Sequence, residues 1–481
     1  MRFCAAALVA NRFFGNKRGQ CSEAYPLSLH YTIRRFSMND QTYTANVKRI
    51  LKNCISDLDS IKWLFLSNPE KDFTRKRKIS FEDFINICLQ MEGGALQNEL
   101  MKFFDFHDDL PCKSAFCQQR AKVSPDAMNF LFCIFTELLA ELDTPKTFMG
   151  YRLLACDGSD IHTPYNPDDT DSFHQAPDKR GYNLLHLNAF FDILNGIYID
   201  CILNSDRKSH EREAFNTMID RYSLSTPSII MADRGYESYN LLAHLLRSGQ
   251  RFIVRLKDDK SNGIISTYKF DYDKNGEFDQ YIKTTLTWKQ TNAIRNDRQT
   301  YTFVPRNKFD FYKDGNPFFP IQLRILCIQT TPDNFEYLAT NLDEEVFPPS
   351  SIKQLYHLRW DQETSFRDLK FTIDLIHFHG KKREYIEQEI WAKLIVYNFC
   401  ESIARHIAVT RQSRNGVNRK YDYKINFATA ACICKAFLKR DDGEINPSRL
   451  IGRFLIPIRP DRTAPRKMKT QSATSFLYRA A

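Results

Sequence analysis

The chain lacks any apolar run of the roughly 18 residues that a membrane-spanning helix needs. Its longest candidate, FLFCIF at 130–135, gives way at once to Thr136 and Glu137. An AAALVA segment lies near the start, but no longer apolar stretch or small-residue cleavage site follows it, which argues against a secretory signal. Residues 1–37 read instead as a flexible basic extension, with Met38 an alternative start. The 13 cysteines include no CxxC pair, and the closest spacings, Cys112 to Cys117 and Cys432 to Cys434, are not zinc-binding patterns. They read as reduced, mostly buried thiols of a cytoplasmic protein. Internal repeats and low-complexity tracts are also missing. Positive charge is in surplus: 68 Lys and Arg stand against 58 Asp and Glu, a formal +10 over 481 residues. Such a balance suits a polyanionic partner, and the length allows two or three domains with a sizeable core.

The texture changes along the chain. Residues 38–146 carry apolar residues at helical spacing, as in NVKRILKNCISDLDSIKWLFL and FEDFINICLQ, and predict a helical domain in which Ser80 caps a helix. Basic segments ahead of helices, Arg75 to Lys78 and Lys113 to Lys122, make that domain a candidate for docking on nucleic acid. From 147 to 258 the pattern becomes α/β. YRLLACDGSD is an apolar strand that breaks at Asp157-Gly158, Asn195-Gly196 marks a hairpin, HEREAFNTMIDRYSL is a helix, and PSIIMADRGYES is a buried strand ending on Asp233. SYNLLAHLLRSG and RFIVRLK add a helix closed by Gly249 and a further strand. In α/β sheets sites lie at the carboxyl ends of strands, and both Asp157 and Asp233 are predicted there. Residues 259–340 are short β-type runs split by Lys, Asn, Asp and Gly, and read as a β-rich insertion. Residues 341–415 return to long helices, and 416–481 form a basic C-terminal region.

One stretch stands out. Read as a single helix, residues 351–375 put Tyr356, Arg359, Glu363 and Lys370 within a roughly 60° arc, beside an apolar stripe of Leu355, Leu358, Phe366, Leu369 and Ile373. The polar row would stand at the edge of a fixed surface and span about 21 Å, enough to track several phosphates. Glu363 flanked by Arg359 and Arg367 at four-residue spacing would equally suit a solvated, ion-paired helix face.

The spacing Y-x2-R-x3-E-x6-K, with every position filled, resembles the signature of insertion-sequence DDE transposases of the IS4 type. DGS at 157–159 and ADRGY at 232–236 resemble the two upstream motifs of that family. The resemblance covers roughly residues 70–470. It implies an RNase H-like mixed-sheet core with a β-rich insertion behind a helical N-terminal domain. It implies Asp157, Asp233 and Glu363 as catalytic, metal-binding carboxylates for two Mg²⁺ ions, with Mn²⁺ able to substitute, and Tyr356, Arg359 and Lys370 as DNA-binding residues. Asp160 remains a rival to Asp157. The implied activity is cut-and-paste transposition on double-stranded DNA by a homodimer, through a hairpin intermediate, in the prokaryotic cytoplasm at the nucleoid. Two alternatives stay open: another two-metal nuclease on the same fold, and a non-catalytic DNA-binding protein derived from a transposase. His162, His174, His186 and His210 are too irregularly spaced for a metal cluster and read as ordinary polar or core histidines.

Overall fold

A computed structural model describes residues 40–458, apart from 176, 178, 179, 206, 223, 313, 314, 332, 333, 415–421, 441 and 442. The predicted extension 1–37 and the end of the basic tail lie outside the described residues. Among those described, no helix is long and apolar enough to cross a membrane.

Five helices come first: α1 (Asp40–Ser60), α2 (Phe81–Gln90), α3 (Leu96–Phe103), α4 (Lys113–Arg120) and α5 (Asp126–Glu141). The start of α2 is fixed by a capping box. The Ser80 hydroxyl accepts from Asp83 N at 3.0 Å while the Asp83 carboxylate accepts from Ser80 N at 2.9 Å. Helix α5 is apolar on nearly every side and buried along most of its length, as a helix enclosed by other elements must be.

The α/β part follows as β1 (Arg152–Thr163), β2 (Phe173–His174), β3 (Tyr182–Asp192), β4 (Ile197–Asn204), α6 (Arg207–Asp220), β5 (Ser228–Ala232), α7 (Tyr239–Arg247) and β6 (Arg251–Leu256). Strand β1 pairs antiparallel with β3 and parallel with β5, β5 pairs parallel with β6, and β4 lies antiparallel on the far side of β3. The spatial order β4-β3-β1-β5-β6, with only β3 reversed, is that of an RNase H-like sheet. Gly196 makes the β3–β4 turn at φ +71°, a left-handed conformation that costs a glycine nothing.

Strands β7 (Phe278–Thr287), β8 (Tyr301–Phe303), β9 (Phe318–Thr331) and β10 (Asn334–Thr340), with the short helix α8 (Asn292–Asn296) between β7 and β8, do not form a separate sheet. Strand β10 pairs antiparallel with β6, and β9, β7 and β8 follow outward in turn. The β-rich stretch therefore extends the core sheet.

The sheet is covered on both faces. Alternation along β1 sends Leu153 and Ala155 into one apolar cluster and Leu154 and Cys156 into the other. The first cluster is shared with α5 and with the helices α9 (Pro349–Leu358), α10 (Trp360–Phe371) and α11 (Arg383–Arg414). The second is shared with α6 and α7. After α11 come β11 (Asp422–Ile425), α12 (Phe427–Lys439), α13 (Pro447–Ile451) and β12 (Leu455–Ile458).

Three local expectations are corrected. The stretch 351–375 is not one helix. It divides at Arg359, whose backbone stays right-handed (φ −53°, ψ −31°) but separates α9 from α10. Nor does the whole polar row rim a surface: Tyr356 and Arg359 are 2% and 3% exposed, because they pack against Asp233 and Asp157 where the pairing of β5 with β1 stops. Asp157 also does not end its strand. Strand β1 runs on to Thr163 along β3, and only its parallel pairing with β5 stops, at Cys156 opposite Ala232.

Candidate active site

That register places the first two carboxylates. Cys156 and Ala232 are partners on neighbouring parallel strands, so Asp157 and Asp233 are the next residue on each and lie side by side where that pairing stops, in the middle of the sheet. Asp157 Oδ1 accepts from the N–H of Gly158 at 2.9 Å. Asp233 precedes a single 3₁₀ turn, Arg234–Tyr236, that carries the chain off the sheet. Glu363 comes from the opposite direction, in the first turn of α10, where the partial positive charge of a helix N-terminus favours a carboxylate.

Arg359 joins them. One guanidinium nitrogen lies 3.4 Å from Asp157 Oδ2 and the other terminal nitrogen 3.6 Å from Glu363 Oε1. The Tyr356 hydroxyl donates to Asp233 Oδ1 at 3.4 Å. Arg255, on β6 next to β5, adds a second guanidinium 3.7 Å from Asp233 Oδ1, itself paired to Glu336 of β10 at 3.4 Å. Lys370 stands apart, seven residues or about 10 Å along α10 from Glu363, and its ammonium donates to the carbonyl of Asp160 at 2.7 Å. The structure thus brings Asp157, Asp233, Glu363, Tyr356 and Arg359 together and sets Lys370 on a neighbouring part of β1.

The electrostatics are those of crowded carboxylates. Burial pushes Asp157 up, Arg359 opposes it, and the charges on Asp233 and Glu363 add to it, leaving the carboxyl at about 6. Burial draws Arg359 down, but Tyr356 and the three acids outweigh it and hold the guanidinium above its ordinary value. Burial lowers Lys370, with Asp160 opposing. Among the described residues no three His, Cys, Asp or Glu side chains converge tightly enough to form a finished metal site. The donors nevertheless fit a hard divalent cation. They are all carboxylate oxygens, and their mutual repulsion, visible at Asp157, is what a dication relieves.

Asp160, the rival to Asp157, is turned elsewhere: its carboxylate meets His186 Nδ1 at 2.7 Å. His174 stacks near Tyr182 with ring centroids 5.5 Å apart, in keeping with an ordinary histidine. Arg255 and Glu336 were missed by sequence reasoning. A charged residue inside the apolar strand RFIVRL was the one available signal for Arg255; nothing in the sequence marks Glu336.

The sequence profile of the family described as "Transposase DDE domain" matches residues 148–399. The chain belongs to this transposase DDE domain family. Two curated relatives share low identity with it. The transposase InsG for insertion sequence element IS4 of Escherichia coli (strain K12) is 22% identical over 292 residues, 59% of this chain and 59% of that protein. The transposase for insertion sequence element IS231F of Bacillus thuringiensis subsp. israelensis is 21% identical over 378 residues, 70% of this chain and 76% of that one. The match to InsG therefore spans under two thirds of that relative. Among solved structures, the cryo-EM structure of the piggyBac transposase synaptic complex with hairpin DNA aligns at a TM-score of 0.38 and 12% identity, over 90% of this chain and 77% of that one. The family profile runs from just before β1 into α11 and so includes Asp157, Asp233 and Glu363.

Proposed function

We propose that this protein is an insertion-sequence transposase that binds the ends of its element, cleaves phosphodiester bonds there and joins the freed ends to target DNA. One observation carries the reading. The parallel register of β1 and β5 sets Asp157 and Asp233 side by side, and the first turn of α10 brings Glu363 to the same point. Three carboxylates from two strands and a helix, within a DDE domain, suit a reaction that must offset charge on an attacking and a leaving oxygen.

Asp157, Asp233 and Glu363 would hold two divalent ions, Mg²⁺ or in its place Mn²⁺. Such ions stabilise charge on both oxygens of an in-line displacement. The chain's own residues do the rest. Arg359 serves as counter-ion to Asp157 and Glu363 in the DNA-free protein, and its planar fork matches a phosphate equally well. Tyr356 holds Asp233 in place and offers a hydroxyl to a phosphate oxygen. Lys370 lies further along α10, where the next phosphates of a bound strand would pass. The helical segment 38–146 supplies recognition of the end. The freed 3′-hydroxyl attacks the opposite strand to close a hairpin, and two copies of the chain act on two paired ends.

The test is cleavage of a duplex carrying the element's own end, in Mg²⁺, Mn²⁺ or EDTA, by the wild type and by Asp157→Ala, Asp233→Ala and Glu363→Ala. Metal-dependent nicking lost in all three, with DNA binding kept, is the expected result. Binding without nicking in any metal by the wild type would replace the enzyme with a DNA-binding protein. Nicking that survives Glu363→Ala would move the third carboxylate elsewhere.

A further inference from the structure

Beyond Cys156, β1 has lost β5 as a neighbour and is paired only with β3. Asp157 stands at the root of this one-sided segment. On the face turned away from Arg359, alternation brings up Gly158 and Asp160, and the cross-strand partner of Asp160 is His186. The imidazole is 3% exposed. Its Nδ1 lies 2.7 Å from Asp160 Oδ1, and its Nε2 lies 3.4 Å from Glu211 Oε1 of α6, an ion-pair separation. The ring rests directly on Gly158: a Cβ there would fall 2.1 Å from Nε2 and 3.0 Å from Glu211 Oε1. From the other side, Lys370 binds the Asp160 carbonyl. A neutral imidazole donates from only one nitrogen, so a carboxylate at each nitrogen favours the charged ring. Burial opposes this, but the carboxylates of Asp160 and Glu211 prevail and raise His186 above its ordinary value.

We propose that His186 is a positioning residue, which fastens the singly supported end of β1 to β3 and α6 and thereby fixes Asp157 for its work. The inference rests on reading Asp157 as a metal-binding carboxylate. It adds a role that touches neither DNA nor metal, and it gives Gly158 a reason: any side chain there would lift the imidazole off the strand.

The experiment uses the full-length protein. Mn²⁺ alone is titrated into the DNA-free chain by calorimetry, single-turnover nicking is followed on an element-end duplex, and DNA affinity and thermal melting are measured beside them. His186→Ala is expected to fold and to bind DNA normally, while Mn²⁺ affinity and nicking rate both fall about 10- to 100-fold, as for residues that orient metal ligands from behind. Gly158→Ala should act in the same direction, and the double variant should be no worse than His186→Ala alone, since both work through one contact. A folded His186→Ala with wild-type Mn²⁺ affinity and rate would overturn the proposal. If that variant does not fold, Glu211→Gln decides, because Glu211 is partly exposed and the change keeps its shape. About tenfold weaker Mn²⁺ binding would support the clamp, and unchanged binding would overturn it. Asp157→Ala is the control that separates the two levels. If it leaves Mn²⁺ binding intact, the reading of the metal site fails; if it abolishes binding while His186→Ala does not, only the clamp fails.

Discussion

Asp157 carries a cost that its neighbours reveal. Burial and two nearby carboxylates raise its pKa from 3.8 to about 6, so the folded protein binds the proton more tightly than the unfolded chain does. The stabilisation from that proton is complete below about pH 3.8 and is lost as pH rises through about 6. Above pH 6 the ionised group destabilises the metal-free protein. Asp157→Asn should therefore melt higher than the wild type at pH 7.5 in EDTA. The shift sets a ceiling of about 3 kcal/mol, and about 1–2 kcal/mol is expected once Arg359 loses an anionic partner. The gain should vanish near pH 4. Equal melting temperatures at both pH values would refute this account of Asp157. At this scale Asp233 was easily legible, because a fully buried strand stops one residue before it. Arg255, Glu336 and the grouping of Asp160, His186 and Glu211 were not. Each depends on which strand lies beside which and in what register, and no local pattern carries that.

Among elements, helical period alone put Tyr356, Arg359, Glu363 and Lys370 beside an apolar stripe, of which Leu355, Phe366, Leu369 and Ile373 are core and Leu358 packs against it. Period does not report what covers the polar row, so the burial of Tyr356 and Arg359 against Asp233 and Asp157 was invisible. In the same way the apolar run before Asp157 marks where the pairing with β5 ends, not where β1 does. Helix α11 shows how an element is locked without an obvious motif. Glu389 meets Arg120 of α4 at 2.8 Å, both almost fully buried. It also accepts from the backbone N–H of His379 at 2.9 and 3.0 Å, while Gln388 takes Arg120 Nε at 2.9 Å. Burial pushes Glu389 up, yet Arg120 and His379 prevail and hold it below the usual carboxylate range. Removing one member of such a pair strands a buried charge, which costs about 3–5 kcal/mol. Glu389→Ala should lower the melting temperature by several degrees, and the apolar pair Arg120→Met with Glu389→Leu should recover much of the loss. A single variant with an unchanged melting curve would show that the pair contributes nothing.

For the whole molecule, the change of texture near residue 147 is real in the sequence, but the apolar core runs straight across it. One cluster holds Tyr43, Phe84, Phe130 and Phe135 of the N-terminal helices together with Leu153, Phe191, Ile395 and Phe399 of the α/β part. Phe132 packs on Trp391 with ring centroids 5.4 Å apart. Polar groups cross as well. The Asn398 amide donates to Thr136 at 3.0 Å and to the Tyr198 carbonyl at 2.9 Å, and Arg152 donates to the Ala140 carbonyl at 2.9 Å while paired with the buried Asp192. Cutting here exposes a large aromatic surface and leaves several buried polar groups without partners, each costing about 1–3 kcal/mol. A fragment of residues 147–458, although it holds all three carboxylates and the whole matched family domain, is expected to aggregate or to melt without cooperativity. The described chain should instead show one transition that includes both parts. Calorimetry on the two proteins decides: a sharp, reversible transition for the fragment would mean that the helices before residue 147 are an appendage to the catalytic fold and not part of its core.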